Sequence, residues 1–282
     1  MKTYYDCVPC MLNSLISLFK QGIIEEKHHD SVIKESMKYY SNLNFSQSPL
    51  KVNRDLHSIV RQVCQNNDPY KPLKDKFNNE ALNYLDKYTQ RVQNSDNPFK
   101  IALKLAIAGN IIDFGPGHKF SVEDTVERVL NSKFINDDSD KLYEEIQKAD
   151  KILYLLDNTG EIVFDSIFLN VLNRPDIILA VRHSPILNDA TMEDIKLIGL
   201  DKKYKVITNG DNAPGTLLSH VSEEFLQEFN TADLIISKGQ GNYEGLSGVK
   251  DKNIFFLLMA KCKIIADELG ANLGDFIIKK AN

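Results

Sequence analysis

Asp157 and Asn158 close an apolar, β-prone run, Ile152 to Leu156. Thr159, Gly160 and Glu161 then turn the chain into a segment whose Ile162, Val163, Ile167 and Phe168 share one helical face. A carboxylate at the carboxyl end of a buried strand, beside a helix N-terminus, stands where α/β sheets place ligands. The carboxylate suits a hard cation and the helix end suits a phosphate, so the pairing points to metal-assisted phosphate chemistry. Other strand candidates end in the same way. The run 177–181 leads into Arg182, His183, Asn188 and Asp189. The run 204–207 leads into Thr208, Asn209 and Gly210, then Pro214, Gly215 and Thr216. The run 234–237 leads into Lys238, Gly239, Gly241, Asn242 and Glu244. In a parallel sheet these ends share one edge, and their polar and glycine residues converge there.

Each residue also has a plainer reading. Asn158 and Glu161 have the spacing of a helix N-cap and its reciprocal partner, which leaves Asp157 unexplained as a charge closing a buried strand. Asp189 has the spacing to cap a helix starting at Ala190. Lys238 fits a solvated strand end, Gly239 and Gly241 a tight turn, Arg182 a surface ion pair and His183 a structural position. Several chemistries are excluded outright. Gly239-x-Gly241 lacks the third glycine of a dinucleotide fingerprint, because position 244 is Glu244, and no GxxxxGK[ST], G-x-S-x-G or HExxH is present.

The elements that must position these residues change character near residue 150. Before it the periodicity predicts helices over 11–19, 31–40, 52–64, 79–91, 98–112 and 122–130, separated by turn signals. At the end of the 98–112 segment Asn110 and Asp113 lie one turn apart and share a face, as either a local polar pair or a pair closing over a substrate. After it, strands at 152–156, 177–181, 204–207, 234–237 and 254–258 alternate with helices at 162–172, 190–197, 217–229 and 261–269. This order predicts an α/β fold: a helical part, 1–149, packed on a three-layer, mostly parallel, Rossmann-like sheet part, 150–282, with a cleft between them.

The chain has 282 residues, 43% hydrophobic and 26% charged, with a net charge of −5 and a pI near 5.7. No broad basic surface is implied, which argues against nucleic acid and anionic membranes as partners. No stretch reaches the roughly 18 apolar residues of a membrane span, and the short N-terminal apolar run has no small-residue cleavage site, so the expectation is a cytoplasmic protein. Of four cysteines only Cys7 and Cys10 form a CxxC. That pair reads as structural thiols, a disulfide or redox pair, or part of a metal site.

Together these motifs resemble the DUF89, or ARMT1-like, family of metal-dependent damage-control phosphatases. The resemblance rests on Cys7-Val-Pro-Cys10, Asp68-Pro69-Tyr70 with Lys74, and Ala108-Gly109-Asn110-Ile-Ile-Asp113. It continues through Asp157-Asn158-Thr-Gly160-Glu161, Asn188-Asp189-Ala190, Gly215-Thr216, Ser237-Lys238-Gly239-Gln-Gly241-Asn242-Tyr-Glu244 and Lys261-Cys262. The CxxC resembles the prokaryotic branch. The resemblance implies one divalent metal (Mn, Co, Ni or Mg) held by Asp157, Asn158 and Asp189, a donor set of hard oxygens. It places Lys238, Gly239, Gly241, Asn242, Gly215, Thr216 and Glu161 around the phosphate, and Asn110 and Asp113 across the cleft. The implied activity is hydrolysis of phosphate monoesters of small metabolites, such as sugar phosphates or phosphopantetheine-like compounds. The alternatives are an S-adenosylmethionine-dependent carboxyl methyltransferase and a non-catalytic metal or redox sensor; the oligomeric state is open.

Overall fold

The computed structural model describes residues 1–109 and 122–281. Its helical part comprises α1 (Cys7–Lys20), α2 (Glu26–Ser41), α3 (Pro49–Cys64), α4 (Lys71–Leu82), α5 (Leu85–Gln93), α6 (Pro98–Gly109) and α7 (Val122–Asn131). Then come β1 (Ile135–Asp137), α8 (Ser139–Lys148), β2 (Ile152–Leu155), α9 (Glu161–Leu172), β3 (Ile178–Val181), α10 (Met192–Ile198) and β4 (Lys205–Thr208). The chain finishes with α11 (Glu223–Thr231), β5 (Leu234–Lys238), α12 (Gly239–Leu246), β6 (Ile254–Met259), α13 (Lys263–Leu269) and β7 (Phe276–Lys280).

The strands form one seven-stranded sheet in the order β1-β7-β6-β5-β2-β3-β4, parallel except at the β6–β7 pair. The central strands are apolar throughout because both faces are covered. Ile152 and Tyr154 face the layer that holds α6, α8, α9 and α10. Leu153 and Leu155 face the layer of α11, α12 and α13. Along the chain the strands run outward from β2 through β3 to β4, then return to the other side of β2 with β5 and β6. The reversal opens a crevice beyond the carboxyl ends of β2 and β5, which is where open α/β sheets bind ligands.

Helices of the first half reach that edge. α6 lies along α9, and its last residue, Gly109, comes so close that a Cβ there would stand 3.0 Å from Glu161 Cα. From α4, Asn78 accepts the Gly160 N–H at 2.8 Å and donates to Asp194 at 2.9 Å. From α3, Arg54 pairs with Asp211 at 2.9 Å and Leu50 packs on Ala213 and Leu217.

The five expected strands are present as β2 to β6, within two residues at each end. β1 and β7 were not expected. β1 is three residues long at the sheet edge, and β7, next to it, has three buried apolar residues followed by the partly buried Lys279 and Lys280, so neither carries the continuous apolar signal of a central strand. The helical part as delimited, 1–149, therefore contributes a strand to the sheet. The single helix expected over 79–91 is two, α4 and α5, with the break at Asn83 and Tyr84. The helix expected from Leu217 starts instead at Glu223, where the Ser222 hydroxyl accepts the Phe225 N–H. α8 and α12 were also unread; three glycines within α12 hide it from propensity. Among the described residues no helix is long and apolar enough to cross a membrane.

Candidate active site

Two strand-end loops are stitched together at the crevice. The Ala190 N–H donates to Asp157 O at 2.8 Å, the Thr159 N–H donates to Asn188 O at 2.8 Å, and Asn158 and Asp189 form an isolated antiparallel bridge. This brings the Asp157 and Asp189 carboxylates to one guanidinium. Arg182 Nε donates to Asp189 Oδ2 at 2.7 Å, and its Nη2 lies 3.6 Å from Asp157 Oδ1 and 3.2 Å from Asn242 Oδ1. Arg182 is 2% exposed, so its pairing is internal rather than a surface ion pair. Asp189 does not cap a helix: α10 begins at Met192, behind a capping box of Thr191 and Asp194. Asn158 is not the N-cap either, because Gly160 is the N-cap and Glu161 the first helical residue of α9, although Glu161 Oε2 accepts the Asn158 N–H at 3.3 Å. The Asn158 side-chain amide donates to Asp157 Oδ2 at 2.6 Å and to Glu161 Oε2 at 3.0 Å.

Beneath this pair sits a buried ion cluster. Lys238, at the end of β5, is fully buried. Its ammonium donates to Glu161 Oε1 at 2.6 Å, Asp165 Oδ1 at 2.6 Å and Ala106 O at 2.9 Å. The Tyr154 hydroxyl donates to the same Asp165 oxygen at 2.7 Å. All three ammonium protons thus have protein acceptors, and Lys238 reaches the crevice through Glu161. Burial pulls the ammonium down, yet Asp165 and Glu161 outweigh it and hold its pKa up at about 12.

The glycine loop that follows forms the first turn of α12. Gly239 has φ +79° and lies against Asp157; a Cβ there would stand 1.9 Å from Asp157 Oδ2. Only glycine admits both the conformation and the contact. Gly241 lies against Pro214 and Gly215. Thr216 and Asn242 are buried and bonded to each other at 2.8 Å, and Asn242 also donates to Lys238 O at 2.8 Å. Asp157, Asn158, Asp189, Glu161, Lys238, Gly239 and Asn242 therefore meet at the β2–β5 crevice, and Gly215, Thr216 and Gly241 form an adjoining wall. Asn110 and Asp113 lie outside the described residues.

Charge is concentrated here. Asp157 and Asp189 flank Arg182, Glu161 and Asp165 flank Lys238, and the charges of Lys261 and Lys74 also act on Asp157 and Asp189. Burial, then Glu161 and Asp189, push the Asp157 carboxyl up to about 7. Burial also raises Asp189 against the opposing pull of Arg182. Asp165 rises to about 6 by burial, and its Oδ2 has no hydrogen-bond partner among the described residues. Buried negative charge is relieved by protons or by a cation. Among the described residues no three His, Cys, Asp or Glu side chains are grouped to hold a metal ion. The donor set that does fit a cation is two carboxylates with Asn158 Oδ1, the amide oxygen left over once its nitrogen has donated to carboxylates. These are hard oxygen donors.

Two participants escaped the sequence: Asp165 was not singled out, and Lys261 figured only within a motif. Arg182 was among the converging strand-end residues, and its plainer reading as a surface ion pair does not hold. Glu161 and Asp165 carried a signal, since they are one turn apart in a helix whose residues 161–169 are all buried. Lys261 is exposed just past β6, its charge lowers the Asp157 pKa, and its backbone N–H donates to Gln240 Oε1 at 2.8 Å. The four cysteines are free thiols.

Known proteins resemble this chain over nearly its whole length. The model of the damage-control phosphatase ARMT1-like domain matches residues 3–277. A damage-control phosphatase of Pyrococcus horikoshii is 37% identical, over 98% of this chain and 97% of that protein. A damage-control phosphatase of Archaeoglobus fulgidus is 33% identical, over 99% of both. The crystal structure of a DUF89 family protein from Pyrococcus horikoshii superposes with a TM-score of 0.91 at 36% identity and covers 100% of both chains. Matched by the family model over residues 3–277 and sharing its fold and nearly its full length with these proteins, the chain belongs to the ARMT1-like, or DUF89, damage-control phosphatase family.

Proposed function

We propose that this chain is a metal-dependent phosphomonoesterase acting on small metabolites, in which water adds to phosphorus and the alcohol departs, giving inorganic phosphate. The observation that carries the reading is the pair of buried carboxylates, Asp157 and Asp189, held side by side at the sheet's switch point with the glycine turn of α12 packed against Asp157. The relatives named damage-control phosphatases support it. Asp157, Asn158 and Asp189 hold a divalent cation, which when bound supplies charge neutralisation at a phosphoryl oxygen and lowers the pKa of water.

The protein's own residues do the rest. Arg182 fixes the two carboxylates relative to each other and is itself fixed by Asn242. Lys238 anchors Glu161, which in turn orients the Asn158 amide. We assign the phosphate contact to Lys261, an exposed cation whose charge acts on Asp157. The test is release of inorganic phosphate from a panel of esters by chelator-stripped protein, with Mg, Mn, Co or Ni added back. Turnover is expected only with a divalent ion, and Asp157→Asn is expected to reduce it about a thousandfold, the several kcal/mol that metal-ion charge stabilisation contributes. Full turnover in chelator, or in the variant, would sink the reading.

A further inference from the structure

Helix α4 carries Lys74, Phe77, Asn78 and Ala81 on its buried face. A buried amide needs partners for both its ends, and Asn78, which is 0% exposed, finds them in two separate loops. Its Oδ1 accepts the Gly160 N–H at 2.8 Å, two residues after Asn158. Its Nδ2 donates to Asp194 Oδ1 at 2.9 Å. The other Asp194 oxygen accepts the Thr191 N–H at 2.9 Å and the Thr191 hydroxyl at 2.8 Å, two residues after Asp189. One amide from the first half thus spans the loops that bear the three proposed cation ligands. Lys74, one turn earlier on the same face, lies 3.5 Å from Asp194 Oδ2 and 3.2 Å from Asp68 Oδ2, a second tie between Asp194 and α4.

The loops need such a tie. Their backbones are stitched at Thr159 and Ala190, and Arg182 spans the two carboxylates. Yet without a cation Asp157 and Asp189 still repel each other. A loop free to yield to that repulsion must be reordered when the cation binds, and the ordering cost is subtracted from the affinity. Gly160, with φ +72°, is where the first loop enters α9, so a bond to its N–H fixes the path of the chain just after Asn158. The bond from Asn78 to Asp194 does the same for the segment that follows Asp189. Both contacts are buried, so losing either leaves an unsatisfied polar group that the loop can relieve only by moving.

We infer that Asn78 is the positioning residue that holds the Asp157-Asn158 loop and the Asp189 loop at the spacing a cation needs, so that α4 sets the metal affinity without touching the metal. The inference rests on the cation site proposed above. The readout is the Mn²⁺ dissociation constant from calorimetric titration, taken where far-ultraviolet circular dichroism shows each variant folded. Asn78→Leu keeps the size of the side chain and removes both bonds. Asp194→Asn sets an amide donor against an amide donor. The double variant Asn78→Asp/Asp194→Asn rebuilds both bonds with donor and acceptor exchanged and the net charge unchanged. Each single variant is expected to weaken Mn²⁺ binding about tenfold or more, as loss of a partner behind a metal ligand does, and the double variant to return to within about threefold of the wild-type value. A folded single variant with wild-type affinity, or a folded double variant as weak as the singles, would overturn the inference and leave the cation site standing. Failure of both single variants to fold would make the contact one of stability alone and overturn it equally. A wild-type chain that binds no Mn²⁺ would overturn the cation site as well.

Discussion

Lys238 shows how one residue type supports opposite expectations until its surroundings are known. A lysine at a strand end beside glycines has the look of a phosphate contact, but its ammonium is spent on Glu161, Asp165 and Ala106 O. Its first role is to hold two carboxylates together in the core. Lys238→Met leaves both without their cation, and breaking a buried pair from one side costs about 3–5 kcal/mol. Urea unfolding is expected to show a loss of that size, whereas a loss below about 1 kcal/mol, ordinary for a surface ion pair, would contradict the placement. Asp157 and Asp189 were legible in the sequence because charges closing buried strands need partners. The partners themselves were not. Arg182 and Asp165 are identified by side-chain directions across β3, α9 and β5, which no local spacing encodes.

The element that does most to shape the crevice, α12, is the one that helix propensity conceals. Its glycines are there for close approach: a Cβ on Gly241 would lie 2.0 Å from Pro214 O, and one on Gly245 would lie 2.0 Å from Thr216 O. The strands β2, β3, β5 and β6 were readable because burial on both faces makes them largely apolar; β4, at the other sheet edge, was readable from its short Val206-Ile207 run, whereas β1 and β7, at and beside the opposite edge, lack such a signal. Gly239→Ala tests the role of α12. It forces a left-handed backbone on alanine and a methyl group onto Asp157 Oδ2. The expected outcome is loss of turnover with about 1–3 kcal/mol of destabilisation, read by thermal melting. Gly248→Ala, in the same chain segment with nothing within 4 Å of its Cβ, is the control and is expected to change neither. Equal effects from the two substitutions would remove the special role of Gly239.

For the whole molecule, stability and activity respond to different groups. In α3, His57 is buried against Tyr70, whose hydroxyl lies 2.9 Å from its Nδ1. Burial, then Arg61, lowers its pKa from 6.5 to about 3. The folded value is below the unfolded one, so the stability it contributes is complete above pH 6.5 and is lost as pH falls toward about 3. At its steepest that loss is about 1.4 kcal/mol per pH unit from this one group. Melting temperatures across this range are expected to show the decline, and His57→Gln to flatten it; an unchanged slope would assign acid sensitivity elsewhere. Activity, by contrast, is expected to follow the crevice at β2 and β5, where helices of the first half and strands of the second are joined. The central claim is that Asp157, Asn158 and Asp189 hold the cation a phosphate ester meets. Anomalous diffraction from crystals soaked in Mn²⁺ tests it directly. The account predicts one peak with oxygens of Asp157 and Asp189 at about 2.0–2.4 Å. A peak at the cysteines, or none at these carboxylates in catalytically active crystals, would contradict it.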